Sequence, residues 1–266
     1  MLSVHTNYAS LVSQGAVSKS NSLLTNAMER LSTGLRINSS ADDAAGLQIA
    51  NRMNANIKGM QAASRNISDA TSMLQTGDGA LEELTTIANR QKELATQAAN
   101  GVNSQDDLDA LDAEFQALIL ESARITDKTT YAGNNLFTKL TGSVTFQIGA
   151  DKTETLDVAI TAPTAVAGDL KSAANARTAM DAVDTNIKEV GTARSVLGAS
   201  LNRLGHTASN LASVLENTQT AAGRIMDADF AVESANMTRN QMLVQAGTTV
   251  LSSANQNTGL VMGLLR

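Results

Sequence analysis

The feature that most constrains the fold is an apolar seven-residue repeat in the last third of the chain. One series comprises Val183, Val190, Leu197, Leu204, Leu211 and Ile225, and a companion series comprises Met180, Ile187, Leu201, Leu215 and Ala222. Only Thr218 interrupts the first series, which is sustained over six heptads. Apolar residues at this spacing form one face of a long helix that packs against another helix. The repeat therefore predicts a coiled-coil-like helix in this part of the chain.

Two similar patterns occupy the N-terminal half of the chain. The first comprises Val17, Leu24, Met28, Leu31 and Leu35. It predicts a helix from about residue 7 to Gly34, because glycine commonly follows the end of a helix. The second comprises Met53, Met60, Ile67, Leu74 and Leu81. It predicts a helix over residues 43–99, about 85 Å long at 1.5 Å per residue, and leaves open a break near Gly77 and Gly79.

The middle of the chain changes character. Ser104, with Asp107 three residues later, predicts the capped start of a third helix. Apolar residues then alternate with polar ones at Val144, Phe146, Ile148, Leu156, Val158 and Ile160. This period of two predicts a β-hairpin over about residues 143–161. After about residue 228 a new seven-residue series predicts a last helix; it comprises Phe230, Met237, Val244 and Leu251.

These patterns together predict the fold class. It is mainly α: a long antiparallel coiled-coil-like helical bundle formed by the N- and C-terminal segments, with a small central β-hairpin.

Composition argues against several classes of protein. Aromatic residues make up 2% of the 266 residues, whereas a compact ligand cavity is normally walled by aromatic side chains. The net charge of −6, with acidic and basic residues mixed along the chain, argues against a nucleic-acid partner. The absence of Cys excludes disulfides and thiolate metal sites. No apolar run is long enough to cross a membrane, and we expect no cleaved signal peptide, metal, cofactor or catalytic residue.

Two adjacent carboxylates, Asp42 and Asp43, could indicate catalysis, a metal site or only the start of a helix. The two histidines complete no catalytic or metal-binding motif with them. Ser40 lies three residues before Asp43, directly ahead of an Ala-rich helical run. Side-chain oxygens at such a place accept hydrogen bonds from free helix N–H groups, and negative charge favours the positive end of the helix dipole. We therefore interpret both carboxylates as structural.

Charge almost disappears at both ends of the chain. Before Glu29 the only ionic side chain is Lys19, and after Arg239 only Arg266 remains. Charged faces normally keep amphipathic helices soluble and monomeric. Here the non-apolar faces carry Ser, Thr, Asn, Gln and Gly. Such helices are suited to an assembly in which every face meets another helix, because an unpaired charge there would be costly to desolvate.

Three stretches of the chain resemble the signature segments of bacterial flagellins. They are "LSTGLRINSSADDAAGLQIANRM", "RQKELATQAANGVNSQDDLDALDAEFQAL" and the C-terminal block that begins "RIMDADFAVESANMTRNQ" and ends in "GLLR". The similarity covers about residues 3–137 and 177–266, with the motifs in the family's order. Flagellins often insert whole domains in the middle, where this chain has room for little more than a hairpin, so it resembles a short variant with a minimal central region.

The resemblance implies an architecture and a function. Residues 1–44 with 228–266 would form an inner terminal helical domain, the filament core, and residues 45–227 an outer helical rod that carries the hairpin. The subunit would polymerise with copies of itself into the extracellular flagellar filament, the propeller of motility. The residues that would pack in the filament core are Val17, Leu24, Met28, Leu31, Val244, Leu251, Leu260, Leu264 and Leu265.

The resemblance also implies a route and further partners. Subunits of the family are exported unfolded through the flagellar type III apparatus, without a cleaved signal peptide, and are added at the distal tip. The implied partners are an export chaperone at the C-terminal helix and the filament cap and junction proteins. No nucleic acid and no membrane is implied.

A recognition segment for the vertebrate Toll-like flagellin receptor is implied as well. The family's segment reads Q-R-[IV]-R-E-L-A-V-Q, and "NRQKELATQ" at residues 89–97 resembles it. Glu114 falls at the matching place on the next helix, and the residues that match within the segment are Arg90, Glu93, Leu94, Ala95 and Gln97. Those that depart from the pattern are Asn89, Gln91, Lys92 and Thr96. A Lys cannot reproduce the forked hydrogen bonding of an Arg. The alternative is that Arg90 and Glu114 are solvated or inter-subunit charges and that Leu94 only packs in the rod.

Two other functions remain open from the sequence. A hook–filament junction protein shares the paired terminal helices, but it would not polymerise with itself into long filaments. A soluble coiled-coil scaffold or adhesin would not polymerise at all, and the charge-poor ends argue against it.

Overall fold

A computed structural model of the chain describes the backbone of residues 6–264 and the side chains of residues 6–256. The helices are α1 Tyr8–Thr33, α2 Ala44–Ala98, α3 Gln105–Lys128, α4 Leu136–Thr141, α5 Ala173–Met226 and α6 Phe230–Leu264. The strands are β1 Thr130–Tyr131, β2 Asn134–Asn135, β3 Val144–Gln147 and β4 Thr155–Val158. The mainly α fold class, with a small central hairpin, is confirmed. No helix in the described part of the chain is both long and apolar enough to span a membrane.

The chain divides into two compact units. The first unit comprises the chain up to residue 55 and from residue 217 onward, and the second comprises residues 56–216. Because α2 and α5 each run past one of these limits, both helices contribute residues to both units.

The first unit is built on the antiparallel pair of α1 and α6. At one end of the pair, Asn7 Nδ2 donates a hydrogen bond of 2.9 Å to the carbonyl oxygen of Ala254. At the other end, Arg30 Nη1 lies 3.0 Å from Glu233 Oε1. Asn7 also caps α1 by accepting a hydrogen bond from the Ser10 N–H. The predicted helix from residue 7 to 34 is therefore confirmed within a residue at each end.

The connector that follows α1 lies against the break between α5 and α6. The amide of Arg36 donates to the carbonyl oxygen of Met226 at 2.6 Å, and the amide of Ala228 donates to that of Gly34 at 3.0 Å. The Arg36 guanidinium also donates to the carbonyl oxygen of Ile225 at 2.9 Å. The carbonyls at the end of α5 that lack helical partners thus find donors in this connector.

In the second unit, α2 and α5 pack antiparallel to each other. Lys92 pairs with Asp184, and Arg194 Nε donates to Asp78 Oδ1 at 2.9 Å. The heptad residues Val183, Val190, Leu197 and Leu204 are all buried. The repeat identified in the sequence is therefore the seam of this pair, as the pattern predicts.

The break left open near Gly77 and Gly79 is absent, since α2 is continuous from Ala44 to Ala98. Gly77 is buried, and a Cβ there would lie 3.3 Å from side-chain atoms of Leu136 and Leu197. A glycine in a helix interior costs up to about 1 kcal/mol relative to alanine. Here packing against the glycine keeps the helix intact despite that cost.

The predicted hairpin is confirmed as the antiparallel pair β3–β4, with Val144 opposite Val158 and Phe146 opposite Leu156. The turn-rich segment before it holds elements that the sequence does not predict. A two-residue ladder, β1–β2, leads into the short helix α4, whose residues Leu136, Phe137 and Leu140 are buried. The core of the second unit forms two clusters, one around α2, α4, α5 and the hairpin and one around α3.

Candidate functional site

The paired carboxylates Asp42 and Asp43 shape the connector before α2. Asp43 Oδ1 accepts a hydrogen bond of 2.8 Å from the amide of Gly46, which makes Asp43 the cap of the helix. Asp42 Oδ2 accepts hydrogen bonds from the amides of Ser39 and Asn38 and from the Ser39 hydroxyl. The bonds from Ser39, above all that from its amide, hold the pKa of Asp42 below its usual range.

This geometry agrees with the structural interpretation of the two carboxylates, with one difference. The capping oxygen belongs to Asp43 rather than to Ser40, because residues 40–42 form a turn and the helix begins only at Ala44. Among the described residues, no group of three or more His, Cys, Asp and Glu side chains is placed to hold a metal ion.

The terminal helices expose large apolar side chains. Those of α1 are Tyr8, Leu11, Val12, Leu23 and Met28, and those of α6 are Phe230, Val232, Met242, Leu243 and Val250. In the 28 residues up to Met28 the only charged side chain is Lys19, so no charged face accompanies this apolar surface. An exposed apolar surface of this kind marks a place where another molecule binds.

The predicted filament-core residues that the structure describes lie on the α1–α6 pair. Val17, Leu24, Leu31, Val244 and Leu251 are half-buried, and Met28 is 47% exposed. The side chains of Leu260 and Leu264, and the whole of Leu265, lie outside the described residues. Among these residues, Val17 of α1 packs closely against the backbone of α6 at Gly247. A Cβ added to Gly247 would lie 2.5 Å from the Cγ2 atom of Val17.

In the predicted recognition segment, Arg90 and Glu114 lie in direct contact. Arg90 Nε donates to Glu114 Oε1 at 2.8 Å, and Arg90 Nη1 donates to Glu93 Oε2 at 2.7 Å. These bonds, first that to Glu93 and then that to Glu114, hold the pKa of Arg90 above its usual range. The side chains of Arg90 and Glu114 are about half exposed and that of Glu93 is two-thirds exposed, so the cluster presents a hydrogen-bonded charge pattern to solvent.

Leu94 is placed differently from the other two predicted recognition residues. It is 1% exposed and lies in the core cluster that contains Phe115 and Val183. A partner that approaches this surface therefore meets Arg90 and Glu114, whereas Leu94 supports them from below.

Gln91, one of the departures from the family's segment, is also buried, at 1% exposure. Its Nε2 atom is the one buried side-chain N or O atom without a hydrogen-bond partner in the described part of the chain. It borders a small cavity of about 130 Å³ whose other neighbours include Thr126 and Asn186.

Sequence reasoning missed most of the exposed apolar residues of the terminal helices. Leu11, Val12, Met242 and Val250 lie outside the seven-residue series of the two terminal helices. The signal that could have found them is the combination of a charge-poor helix with apolar residues on more than one face.

The fold and these surfaces define a class of protein: a helical subunit whose paired, charge-poor terminal helices leave apolar surface for further copies to cover. Comparison with known proteins identifies the family. Residues 4–141 match the model of the bacterial flagellin N-terminal helical region, and residues 180–265 match that of the bacterial flagellin C-terminal helical region.

Individual relatives agree with these matches. A flagellin of Halalkalibacterium halodurans is 43% identical over 90% of this chain and 91% of its own length. The crystal structure of Bacillus cereus flagellin has a TM-score of 0.50 and 35% identity, covering 55% of this chain and 88% of that one.

A third likeness concerns the junction-protein alternative. A Vibrio parahaemolyticus structure described as a flagellar hook-associated protein has a TM-score of 0.60 but 13% identity, over 70% of this chain and all of that one. At that identity the likeness shows the fold alone, so it does not favour a junction protein.

The chain belongs to the bacterial flagellin family. It is a structural subunit that assembles with copies of itself into the flagellar filament, which lies outside the cell. The family is structural and not enzymatic.

Proposed function

We propose that α1 and α6 form the core of this filament and that the rest of the chain forms its outer rod. In this proposal, residues 1–44 and 228–266 make the inner domain and residues 45–227 make the rod. The observation that carries it is the apolar surface of the terminal helices: large side chains such as Leu11, Val12 and Met242 are at least half exposed in the single chain.

The energetics support the same assignment. Burying a large apolar side chain completely contributes about 1.5–3 kcal/mol, so one that is half exposed gains about 1 kcal/mol when a neighbour covers it. Several such residues on each helix favour association strongly even after the entropy cost of binding is subtracted. A contact of this kind that does not close on itself produces an open helical polymer.

A truncation tests this proposal. Deleting residues 251–266 removes the end of α6 beyond Val250, together with the Ala254 carbonyl that accepts from Asn7. We expect the truncated chain to lose polymerisation, measured by sedimentation after seeding, while far-UV circular dichroism and thermal unfolding show that the second unit still folds. Filaments that grow at the normal rate from this chain would refute the proposal.

Export and assembly form a second part of the proposal. The chain would pass unfolded through the flagellar type III apparatus, with an export chaperone covering the apolar surface of α6 until the subunit joins beneath the filament cap. The junction proteins would meet the first copies of the filament. The absence of Cys and the single Pro support this route, because refolding after export then needs no disulfide formation and has at most one slow prolyl isomerisation.

The Arg90 cluster supports recognition by the vertebrate Toll-like flagellin receptor. Arg90 and Glu114 form an exposed pair, while the buried Leu94 would act through packing. We expect Arg90→Ala to weaken receptor signalling in reporter cells that receive purified monomer. Arg124→Ala is the matched control, because Arg124 also pairs with an exposed acid, Glu121, three residues away. Equal signalling by both variants would support the alternative of solvated or inter-subunit charges.

A further inference from the structure

One end of the second unit carries an exposed apolar residue with acids beside it. Val102 lies in the loop between α2 and α3 and is 83% exposed, the highest value for a large apolar side chain among the described residues. Asp106 and Asp109 are exposed on the first turns of α3. No Lys or Arg occurs between residues 93 and 123. An apolar centre with a charged rim is the usual composition of a protein–protein contact.

A groove lies on the same unit, far from Val102. Residues 66–73 of α2 and the β3 strand border a space of about 270 Å³. Met73, Tyr131 and Phe146 supply its apolar walls. The space is smaller than the roughly 300–1,000 Å³ of small-molecule sites, but it accommodates a branched aliphatic side chain.

The stretch of α2 that precedes this groove is basic, and the groove itself is bordered by one exposed acid, Asp69. Lys58 and Arg65 lie seven residues apart, and therefore on one face of α2, and both are exposed. Neither has a hydrogen bond or ion pair with any other described residue, and no acid occurs between Asp43 and Asp69. At the nearby hairpin tip, Asp151 and Glu154 accept hydrogen bonds from backbone amides of the tip itself.

We infer that the Val102 loop of one copy docks in the Phe146 groove of the next copy, with Asp106 and Asp109 of the first facing Lys58 and Arg65 of the second. The inference deepens the established self-assembly by naming one contact between copies. Its occupant is a second copy of this chain, because the acids beside Val102 are opposite in charge to the cations that precede the groove and the chain forms a homopolymer.

The two surfaces cannot meet within one molecule. Asp69, at the edge of the groove, and Ala98, at the end of α2, are separated by about 44 Å of helix. The four residues from Ala98 to Val102 can return by no more than about 14 Å, so at least about 30 Å remains. A contact between different surfaces of identical copies is head-to-tail and continues as a polymer. Successive copies would be displaced by roughly 30–60 Å along α2.

Engineered cysteines test the contact directly, since the natural chain has none. The variant carries both Val102→Cys and Asp69→Cys; the Asp69 side chain makes no hydrogen bond or ion pair with other described residues. A disulfide needs Cα atoms within about 7 Å, so any bond between these positions joins two copies. Under mild oxidation we expect filaments of this variant to give a ladder of dimers, trimers and longer species on a non-reducing gel.

Three controls accompany this experiment. Val102→Cys alone and Asp69→Cys alone should give no ladder, because one thiol per copy can link two chains at most. Val102→Cys with Lys188→Cys places the second thiol on an exposed position of α5 away from the groove, and it should give none either. If the paired variant polymerises but yields no more than these controls, the inference fails while the filament function stands.

Charge reversal gives a second, independent test. Asp106→Lys with Asp109→Lys, and separately Lys58→Glu with Arg65→Glu, should each raise the critical concentration for polymerisation several-fold. All four substitutions in one chain restore opposite charges across the contact, and should return the value to within about threefold of the unmodified chain. If the variant with all four substitutions has a critical concentration as high as the worse of the two double variants, the inference is overturned.

The control for overall charge uses two exposed residues away from both surfaces. Glu83→Lys and Lys188→Glu change the charge in the same two directions, and their combination keeps the net charge unchanged. We expect their effects to add without rescue. Rescue of the same size in this pair would show that net charge, and not the proposed contact, controls polymerisation.

Discussion

The contact between Gly247 and Val17 allows a quantitative test of how α1 and α6 pair. A Cβ on Gly247 would lie 2.5 Å from Val17 Cγ2, whereas carbon atoms in ordinary contact are about 3.5–4.0 Å apart. In Gly247→Ala, the helices must therefore separate by about 1 Å or Val17 must change rotamer. Overpacking of this kind costs about 1–3 kcal/mol, and the better helix propensity of Ala returns about 0.5–1 kcal/mol.

The net cost is therefore between about 0 and 2.5 kcal/mol, and its midpoint of about 1.3 kcal/mol corresponds to a critical concentration roughly eightfold higher. Val17→Ala removes the clashing methyl group at a cost of about 1 kcal/mol for a half-buried side chain. In the double variant the new Cβ occupies the vacated space, so its cost should not exceed that of Val17→Ala alone. The assay is the soluble concentration in equilibrium with seeded filaments. A double variant whose cost equals or exceeds the sum of the single costs would refute the reasoning.

Three further predictions concern stability. Asp43→Ala removes the cap of α2 and should destabilise the monomer by about 0.5–2 kcal/mol in urea unfolding; an unchanged midpoint would contradict the capping role. Leu197→Ala, at a buried seam position, should cost about 2–5 kcal/mol, whereas the exposed Leu120→Ala should cost little; equal effects would contradict the packing described. Hydrogen bonds from Ser104 lower the pKa of Asp107 in the folded chain. The stability that these bonds give is therefore fully present at a pH above the pKa of Asp107 in the unfolded chain, and it is lost as the pH falls through the pKa of Asp107 in the folded chain. An NMR titration of Asp107 should give a pKa below that of an aspartate in an unfolded chain, and this pKa should rise in Ser104→Ala; a pKa unchanged by that substitution would be the contrary result.

The elements that the sequence predicts well are those with strong local signals. The end of α1 at Gly34 and the capping box of Ser104 and Asp107 depend on residues within one turn of each other. The heptad seam depends on a period that a single helix imposes. In each case the information lies in neighbouring residues, and the structure agrees with it.

The elements that the sequence does not predict depend on distant contacts. The β1–β2 ladder turns at Ala132 and Gly133, both at positive φ, and it leads into a helix of six residues. Such a short helix is marginal by itself. Burial of Leu136 and Phe137 against the core of the second unit stabilises it, and no local pattern reveals that core.

The candidate sites show the same limit. The contact of Arg90 with Glu114 joins residues 24 positions apart, and only the family resemblance connects them in the sequence. The burial of Gln91 is contrary to its polar character, so composition alone places it at the surface. Val102 and the Phe146 groove are recognisable only once exposure and shape are known.

The central claim is that further copies of the chain cover the surfaces of α1 and α6. Hydrogen–deuterium exchange on monomer and on filament, resolved by peptide, tests it most directly. We expect amides of residues 8–33 and 230–256 to exchange at least about 100-fold more slowly in the filament, and amides of the second unit's core to change little. Terminal helices that are already fully protected in the monomer, and unchanged by polymerisation, would contradict the account.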